Sequence, residues 1–199
     1  METAAPLIPL WLKITYTVFV VLTVLVYSRW WGAGNFLWFS DIALILAVPA
    51  LWLENALLAS MMVLATLLPD AVWIGGFCAG VLTGKPIWGL TDYMFSDGKP
   101  RYVRALSLFH LFLPVLLVWT VWRLGYDGDA LAAQTLLAWV VLPLTYLVTN
   151  PKDNVNWVRG MFGAVQQRFP PLWYLALLML GFPLLIYVPT HLALSALFG

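Results

Sequence analysis

The chain has 199 residues, of which 63% are hydrophobic and 10% are charged, and its formal net charge is +1. Soluble domains carry about 25% charged residues, so this composition excludes a soluble globular domain and predicts an integral membrane protein. A net charge so near zero argues against a nucleic-acid partner. The single Cys78 excludes an internal disulfide, and the Cys/His spacings typical of zinc sites are absent from the sequence. We therefore expect neither a metal nor another cofactor.

Six apolar segments have about the length that a spanning helix needs, which is roughly 20 residues. They run from Leu7 to Tyr27, Phe36 to Leu53, Leu57 to Leu82, Arg104 to Leu124, Leu131 to Thr149 and Leu172 to Phe198. The first is expected to be a retained span, since it lacks the cleavage site of a signal peptide. The sequence thus predicts an all-α integral membrane protein, in which residues 1–199 form one polytopic domain of about six helices in one bundle.

Several of these segments contain residues that bend or interrupt helices. Prolines inside the segments, which are expected to kink them, are Pro49, Pro114, Pro143, Pro183 and Pro189. The third segment contains Pro69-Asp70 and Gly75-Gly76, so we expect it to kink or break there.

Basic residues are divided unevenly between the two ends of this bundle. One end receives Arg29, Lys85, Lys99, Arg101, Arg104, Lys152, Arg159 and Arg168. The other end receives Arg123 and Lys13. Because cation-rich loops stay in the cytoplasm, we expect the long loops 83–103 and 150–170 to be cytoplasmic. Both termini would then face the periplasm of a bacterial inner membrane.

Polar side chains are concentrated at one predicted depth, in the cytoplasmic third of the bilayer. Ser40 and Asp41 begin the second segment, and His110 lies about two turns into the fourth. Candidates for binding a substrate at that depth are Asp70, Asp92, Tyr93, Asn150, Asn154 and Asn156. An ionisable residue inside a membrane is by default a candidate functional site. Each also has an ordinary interpretation, because serines pack at helix interfaces, buried acids pair with cations or amides, and asparagines turn the chain.

Two further features have structural interpretations. His191 lies late in the sixth segment, near the outer face, where we expect it to be hydrogen-bonded to a neighbour and far from His110. That separation argues against a haem held by both histidines. Gly76, Gly80 and Gly84 repeat every four residues, which suits close packing of helices. This stripe is a candidate contact with partner subunits or with a second copy of the chain.

The polar residues supply the parts of a nucleophilic catalyst. A hydroxyl nucleophile needs a base, and the base is usually oriented by a third group. Ser40 and His110 fit the first two roles. Asp41 is the first candidate for the third role, with Asp70 and Asp92 as alternatives. A cavity that opens towards lipid headgroups makes a lipid ester or an acyl donor the natural substrate class. The sequence has no G-x-S-x-G turn, so an α/β-hydrolase elbow is excluded.

Four stretches carry a resemblance to a known family. They are FLWFSDIAL, then GLTDYMF with the following LSLFHLFLPVLL, then TYLVTNPKDNVNWV, and last PPLWYLALLMLGFPLLIYVPTH. This layout resembles the six-span family of bacterial YwaF-like proteins and animal transmembrane-164-like acyltransferases. It is distantly similar to the androgen-induced hydrolases of fatty-acid esters of hydroxy fatty acids, and it also resembles uncharacterised bacterial integral membrane proteins.

The resemblance spans residues 34–195 and implies an active pair, with Ser40 in the nucleophile position and His110 in the histidine position. The acyltransferases carry Cys and the hydrolases Thr where this chain has Ser40.

Two functions remain open at this point. The first is an intramembrane lipid-acting enzyme, an acyl-ester hydrolase or acyltransferase, in which Ser40 attacks, His110 moves the proton and an aspartate orients His110. The alternative is a non-catalytic membrane module, such as a transporter, a binder of lipid, isoprenoid or pigment, or a subunit of a larger complex. The 12 tryptophans and the proline-rich helices favour the alternative. Membrane lipids are the expected partners in both cases.

Overall fold

The computed structural model describes residues 6–85, 87, 89–161 and 165–199, which form helices joined by turns and loops, with no β-strand among them. The helices are α1 Leu10–Trp30, α2 Phe39–Trp52, α3 Ala56–Thr83, α4 Asp92–Phe95, α5 Arg101–Leu106, α6 Phe109–Leu124, α7 Ala130–Val148, α8 Pro171–Gly181 and α9 Val188–Phe198. A π-helical segment, Phe182–Tyr187, joins α8 to α9. Short 3₁₀ turns lie at Ala33–Leu37 and Val155–Trp157. The predicted all-α class is confirmed.

Five helical stretches in the described part of the chain are long and apolar enough to cross a membrane. They are Leu10–Trp30, Ala56–Thr83, Arg101–Leu124, Ala130–Val148 and Pro171–Phe198. They correspond to the first, third, fourth, fifth and sixth predicted segments. The second differs, because α2 has 14 residues. At 1.5 Å per residue it is about 21 Å long, which is shorter than a hydrocarbon core of roughly 30 Å.

The second helix begins later than its apolar pattern predicted because the chain turns first. Gly32 adopts φ 81°, in the left-handed region that favours glycine, and Ala33–Leu37 forms a 3₁₀ turn. The α2 helix then starts at Phe39, whose amide donates to the side-chain oxygen of Asn156 at 3.1 Å. An apolar run looks the same in sequence whether it turns or forms a helix, so hydropathy placed this boundary too early.

Helix α3 is the central helix of the bundle. It packs against α2, α6 and α7, and half of its spanning window is buried, more than in the other four. Its start is capped by Asn55, which accepts from the Leu58 amide at 2.7 Å, and it ends at Gly84 with φ 70°. The chain does not break at Pro69-Asp70 or at Gly75-Gly76, because α3 runs as one helix from 56 to 83, and a kink there stays a prediction. A single proline removes one backbone hydrogen bond, and packing on three neighbouring helices offsets that loss.

The bundle has two chemically different ends. At the end where α1 begins and α9 ends, the Glu54 carboxylate accepts from the Lys13 ammonium at 2.8 Å and from the Leu7 amide at 3.1 Å. We call this the terminal end. The opposite end carries the described parts of the connections 84–100 and 149–170, and we call it the loop end. Ser40, Asp41 and His110 lie towards the loop end, and Asp70 lies near the middle of α3. His191 lies at the terminal end, as expected.

The glycine stripe of α3, Gly76, Gly80 and Gly84, packs in part against other residues of the same chain. A Cβ on Gly80 would lie 2.4 Å from the Phe95 ring, and one on Gly76 would lie 3.5 Å from the Thr91 hydroxyl. Both neighbours belong to α4 or to the residue that precedes it. Gly84 meets nothing within 4 Å and serves as the end of α3. The close approach that the stripe predicted is therefore made by this chain's own loop. A contact with another subunit through the stripe stays a prediction.

Candidate functional site

A cavity of about 450 Å³ lies at the loop end of the bundle, where the start of α2 and the start of α6 meet the middle of α3. We call it the site cavity. Its polar lining consists of Asn35, Ser40, Asp41, Thr66, Asp70, Ser107, His110, Lys152, Asp153, Asn154 and Asn156. Its aromatic lining consists of Tyr27, Trp31, Trp38, Phe39, Trp73, Tyr93, Phe109, Trp157 and Phe182. Small-molecule sites usually measure about 300–1,000 Å³, so the cavity has room for a small ligand or for one polar group of a lipid.

His110 and Asp70 form a buried pair in this cavity. Nδ1 of His110 lies 2.8 Å from Oδ1 of Asp70, and the two side chains are 12% and 2% exposed. They meet because α3 and α6 pack closely against each other, and each residue lies on that seam. Trp73, one turn after Asp70, stacks on the imidazole with ring centroids 4.5 Å apart. Nδ1 is thus paired with Asp70, and Nε2 makes no hydrogen bond to a residue that the structure describes.

Tyr93 closes the wall above this pair. Its hydroxyl accepts a hydrogen bond from the Trp73 indole at 3.2 Å. Burial raises the pKa of the Tyr93 hydroxyl to about 12. Hydrogen bonds with Ser107 and Trp73 lower this pKa, and the nearby Asp41 and Asp70 raise it. Tyr93 therefore stays protonated at neutral pH and contributes a neutral polar group to the site.

A second buried pair was not selected from sequence. The Tyr27 hydroxyl and the Ser107 hydroxyl lie 2.6 Å apart and join the end of α1 to the turn between α5 and α6. That turn immediately precedes His110, so the pair helps to fix where α6 begins. The two residues are 80 positions apart, and one serine or tyrosine in an apolar helix carries no sequence signal of its partner.

Ser40 and Asp41 lie in the first turn of α2. The first amides of a helix have no acceptor within the helix, and the helix dipole makes this end positive. The Phe39 amide is satisfied by Asn156, but the amides of Ser40 and Asp41 donate to no residue that the structure describes. Two free amides therefore adjoin the Ser40 hydroxyl. Free amides beside a nucleophile are suited to hold an oxyanion.

The structure separates the roles predicted for the two aspartates. Asp70, rather than Asp41, is the carboxylate that contacts His110. Asp41 is 5% exposed, and its Oδ1 has no hydrogen-bond partner within the described ranges. Ser40 lines the same cavity as His110, but its hydroxyl makes no hydrogen bond to His110 or to any other described residue. The Ser40–His110 pairing stays a prediction, as does a catalytic role for Asp41.

The asparagines of the 149–170 connection support the cavity wall. The Asn156 amide donates to the Leu37 carbonyl at 2.6 Å, which ties this connection to the residues before α2. Asn154 donates to the Gly160 carbonyl at 2.7 Å and accepts from the Arg159 amide at 2.9 Å. Both asparagines have positive φ, a conformation that Asn tolerates better than most residues. Asn156 therefore positions the start of α2, where Ser40 and Asp41 lie, whereas Asn154 fixes the turn of its own connection.

Three predicted residues lie elsewhere. Asp92 begins α4 and is exposed, and it does not line the cavity. Asn150 is also exposed, and its side chain accepts from the Lys152 amide at 3.0 Å. His191 lies at the terminal end with Nδ1 2.7 Å from the Tyr126 hydroxyl, so the neighbour expected for it is present.

Within the described ranges, no group of three or more His, Cys, Asp or Glu side chains is placed to hold a metal ion. The chain matches no protein-family model, no curated protein and no solved structure. The geometry and chemistry of the site cavity therefore carry the functional inference.

Proposed function

We propose that the protein is an intramembrane enzyme that acts on acyl esters of membrane lipids, as a hydrolase or an acyltransferase. The observation that carries this proposal is the buried His110–Asp70 contact of 2.8 Å, in a cavity that both His110 and Ser40 line. A carboxylate on Nδ1 and a free Nε2 are the arrangement that makes a histidine a general base for a serine. The free amides at the start of α2 supply the remaining part of such a site, an oxyanion hole.

In the proposed reaction, the Ser40 hydroxyl oxygen attacks the acyl carbonyl carbon while His110 Nε2 takes the hydroxyl proton. Asp70 stabilises the imidazolium, and the amides of Ser40 and Asp41 donate to the oxyanion. His110 then gives the proton to the departing alcohol, which leaves an acyl ester on Ser40. Water or an acceptor alcohol, deprotonated by His110, cleaves that ester and regenerates Ser40. Catalytic hydrogen bonds are often long in the absence of substrate, and the reaction requires the Ser40–His110 contact to form when substrate binds.

The proposal includes a membrane setting. The chain would cross a bacterial inner membrane six times, with α2 as a short crossing inside the bundle. The loop end, which carries most of the cations, would face the cytoplasm, and both termini would face the periplasm. The cavity would then open at the level of the cytoplasmic headgroups, where lipid esters lie.

The resemblance to YwaF-like and transmembrane-164-like proteins supports the same pair. It gives Ser40 the nucleophile position and His110 the histidine position. The contact at His110 adds Asp70 as the orienting carboxylate, a role for which the resemblance names no residue.

Turnover of lipid esters by the purified protein in lipid nanodiscs tests this proposal. Wild-type protein is expected to release or transfer an acyl chain, and Ser40→Ala and His110→Ala are each expected to lower kcat at least about 10³-fold. Ser28→Ala is a matched control, since Ser28 bonds only to the Val24 carbonyl on α1. Unchanged turnover in Ser40→Ala would exclude Ser40 as the nucleophile, and a wild-type protein inactive on every lipid ester would exclude the enzyme.

A second candidate is the non-catalytic module, namely a transporter, a binder of lipid, isoprenoid or pigment, or a subunit of a larger complex. Two observations favour it. The cavity wall is largely aromatic, and Ser40 makes no hydrogen bond to His110 among the described contacts. This candidate predicts a stoichiometric ligand or partner that copurifies equally with wild type and Ser40→Ala, together with no turnover.

A further inference from the structure

Asp41 carries a buried carboxyl group that the proposed reaction does not need. It is 5% exposed, it lines the site cavity, and its Oδ1 has no hydrogen-bond partner within the described ranges. His110 is already oriented by Asp70, so Asp41 has no role in moving the proton. Burying a carboxylate without a partner costs several kcal/mol in general, unless a cation or a set of hydrogen bonds offsets the cost. A ligand that enters the cavity is the missing partner with the best access to Asp41.

The charges around the cavity favour a cationic ligand group. Three of its described lining residues are carboxylates, namely Asp41, Asp70 and Asp153, whereas Lys152 is the one lysine or arginine among them. Lys152 and Asp153 are both exposed, so solvent screens both charges, and Asp70 is paired with His110. Asp41 is therefore the buried carboxyl group of this wall that lacks a described partner. A buried carboxyl group in such a wall favours a cationic ligand group.

The nearest lysine on the α1 side does not neutralise Asp41. The Lys99 ammonium donates to the Trp30 carbonyl at 2.5 Å and lies 4.7 Å from the centroid of the Trp31 ring. It is therefore bound at the rim and does not line the cavity. The same contact shows that a ring of this wall accepts an ammonium ion on its face.

The aromatic residues of the wall complete a site for an organic cation. Trp31 and Trp38 line the cavity together with Tyr27 and Tyr93, whereas the Trp73 ring is already stacked on the His110 imidazole and on Phe77. Aromatic faces attract ammonium groups most strongly when water is excluded, and aromatic walls joined to a carboxylate are the usual means of binding quaternary ammonium ions. A metal cation would instead require several oxygen ligands, and the described residues provide no such group.

We infer that Asp41 and the surrounding aromatic wall bind an organic ammonium group. The inference rests on the proposed function, since it names the class of substrate that the same cavity accepts. The group belongs either to the headgroup of a zwitterionic lipid or to a free amine of similar size. Asp41 would fix the ammonium end of the substrate, while His110 and Ser40 act on its ester.

Equilibrium binding of radiolabelled choline tests the inference. The protein is placed in nanodiscs of phosphatidylglycerol, which has no ammonium group, and 3,3-dimethylbutan-1-ol, the uncharged isostere of choline, is measured as a competitor. Choline is expected to bind, and the isostere is expected to compete at least about tenfold more weakly. Asp41→Asn is expected to weaken choline binding at least about tenfold, whereas Asp41→Glu keeps the charge and should retain most of it. Equal affinity for choline and its isostere, or unchanged binding in Asp41→Asn, would overturn the inference.

Two further measurements distinguish a lipid ligand from a free amine, and a failure of the ammonium site from a failure of the proposed catalysis. Phosphatidylcholine added to the nanodiscs is expected to displace choline if the natural ligand is a lipid headgroup, and to leave binding unchanged if it is a free amine. Ser40→Ala should bind choline as wild type does, so a failure of the proposed catalysis leaves this result intact. Full lipid turnover by an Asp41→Asn protein that has a normal melting temperature would reject the ammonium site and leave the enzyme.

Discussion

Asp70 and His110 are 40 positions apart in the chain, and their contact depends on one pair of facing side chains on α3 and α6. Three carboxylates were candidates for this contact because Asp41, Asp70 and Asp92 all fall near one predicted depth. Depth follows from hydropathy, but the face of the helix on which a residue lies depends on how the helices pack. The sequence could therefore identify the set of residues but not the partner of His110.

The first prediction concerns this carboxylate. Asp70→Asn keeps the shape of the side chain but gives His110 an amide in place of an anionic acceptor, so Nδ1–H and the imidazolium lose their stabilisation. We expect kcat for lipid-ester turnover to fall by up to about 10⁴-fold, with a small change in KM. Asp92→Asn is the control, because Asp92 is exposed and lies outside the cavity. Equal loss in both variants, or no loss in Asp70→Asn, would contradict a role for Asp70 in orienting the base.

The second prediction concerns Glu54 at the terminal end. Its pKa is lowered, first by the hydrogen bond from Lys13 and further by the amides of Ile8 and Leu7. A carboxyl group with a lowered folded-state pKa stabilises the fold above its unfolded pKa, and this stabilisation is lost as the pH falls through the folded pKa. Glu54→Gln should therefore lower the melting temperature at pH 7, by a few degrees if the pair contributes about 1 kcal/mol.

The pH dependence gives the check on that prediction. The difference in melting temperature between wild type and Glu54→Gln should shrink as the pH falls below 4.5, the ordinary value for this group. A difference that stays constant from pH 7 into this acidic range would show that the charge of Glu54 is not the cause.

At the scale of single elements, α3 and α4 show how a small-residue stripe is used. Gly75 and Gly80 lie on the same helix, but a Cβ on Gly75 meets nothing within 4 Å, whereas one on Gly80 meets the Phe95 ring at 2.4 Å. Gly75→Ala should raise stability by about 0.5–1 kcal/mol, because alanine loses less entropy in a helix. Gly80→Ala gains the same helix stabilisation, but the new methyl group must displace the Phe95 ring. The melting temperature of Gly80→Ala should therefore lie below that of Gly75→Ala.

Oligomeric state provides the second readout for this pair of variants. Since α4 fills the space beside Gly80, Gly80→Ala should leave the mass of the protein in detergent unchanged when it is measured by light scattering. A change of oligomeric state in Gly80→Ala, but not in Gly75→Ala, would favour the alternative in which the stripe contacts another subunit.

The long helices were predictable because their apolar runs end at residues that stop a helix. Pro9 precedes α1, Asn55 caps α3 and Gly84 ends it. The start of α2 was predicted too early, because the turn at Ala33–Leu37 ends in the apolar pair Phe36-Leu37, which continues the apolar pattern of the helix. Helix α4 is only 4 residues long, and its place depends on packing against α3. Periodicity over so few residues carries too little information to assign such a helix.

At the scale of the whole molecule, the proposed topology places the loop end in the cytoplasm. Asp97 is exposed in the connection after α4, and Asp129 is exposed at the start of α7, at the opposite end. Cys78 is exposed, so it is first replaced by alanine. Single cysteines are then introduced in two separate variants, one at Asp97 and one at Asp129. A membrane-impermeant thiol reagent should label Asp129→Cys in spheroplasts and Asp97→Cys only after the membrane is opened. The reverse pattern would place the loop end outside.

The central claim is that His110, oriented by Asp70, activates Ser40. The most direct measurement is covalent labelling of the protein in nanodiscs by a serine-directed fluorophosphonate, with the modified peptide identified by mass spectrometry. The account predicts one adduct on Ser40, and at least about tenfold slower labelling in His110→Ala and in Asp70→Asn. Labelling of His110→Ala at the wild-type rate, or an adduct on a different serine, would contradict it.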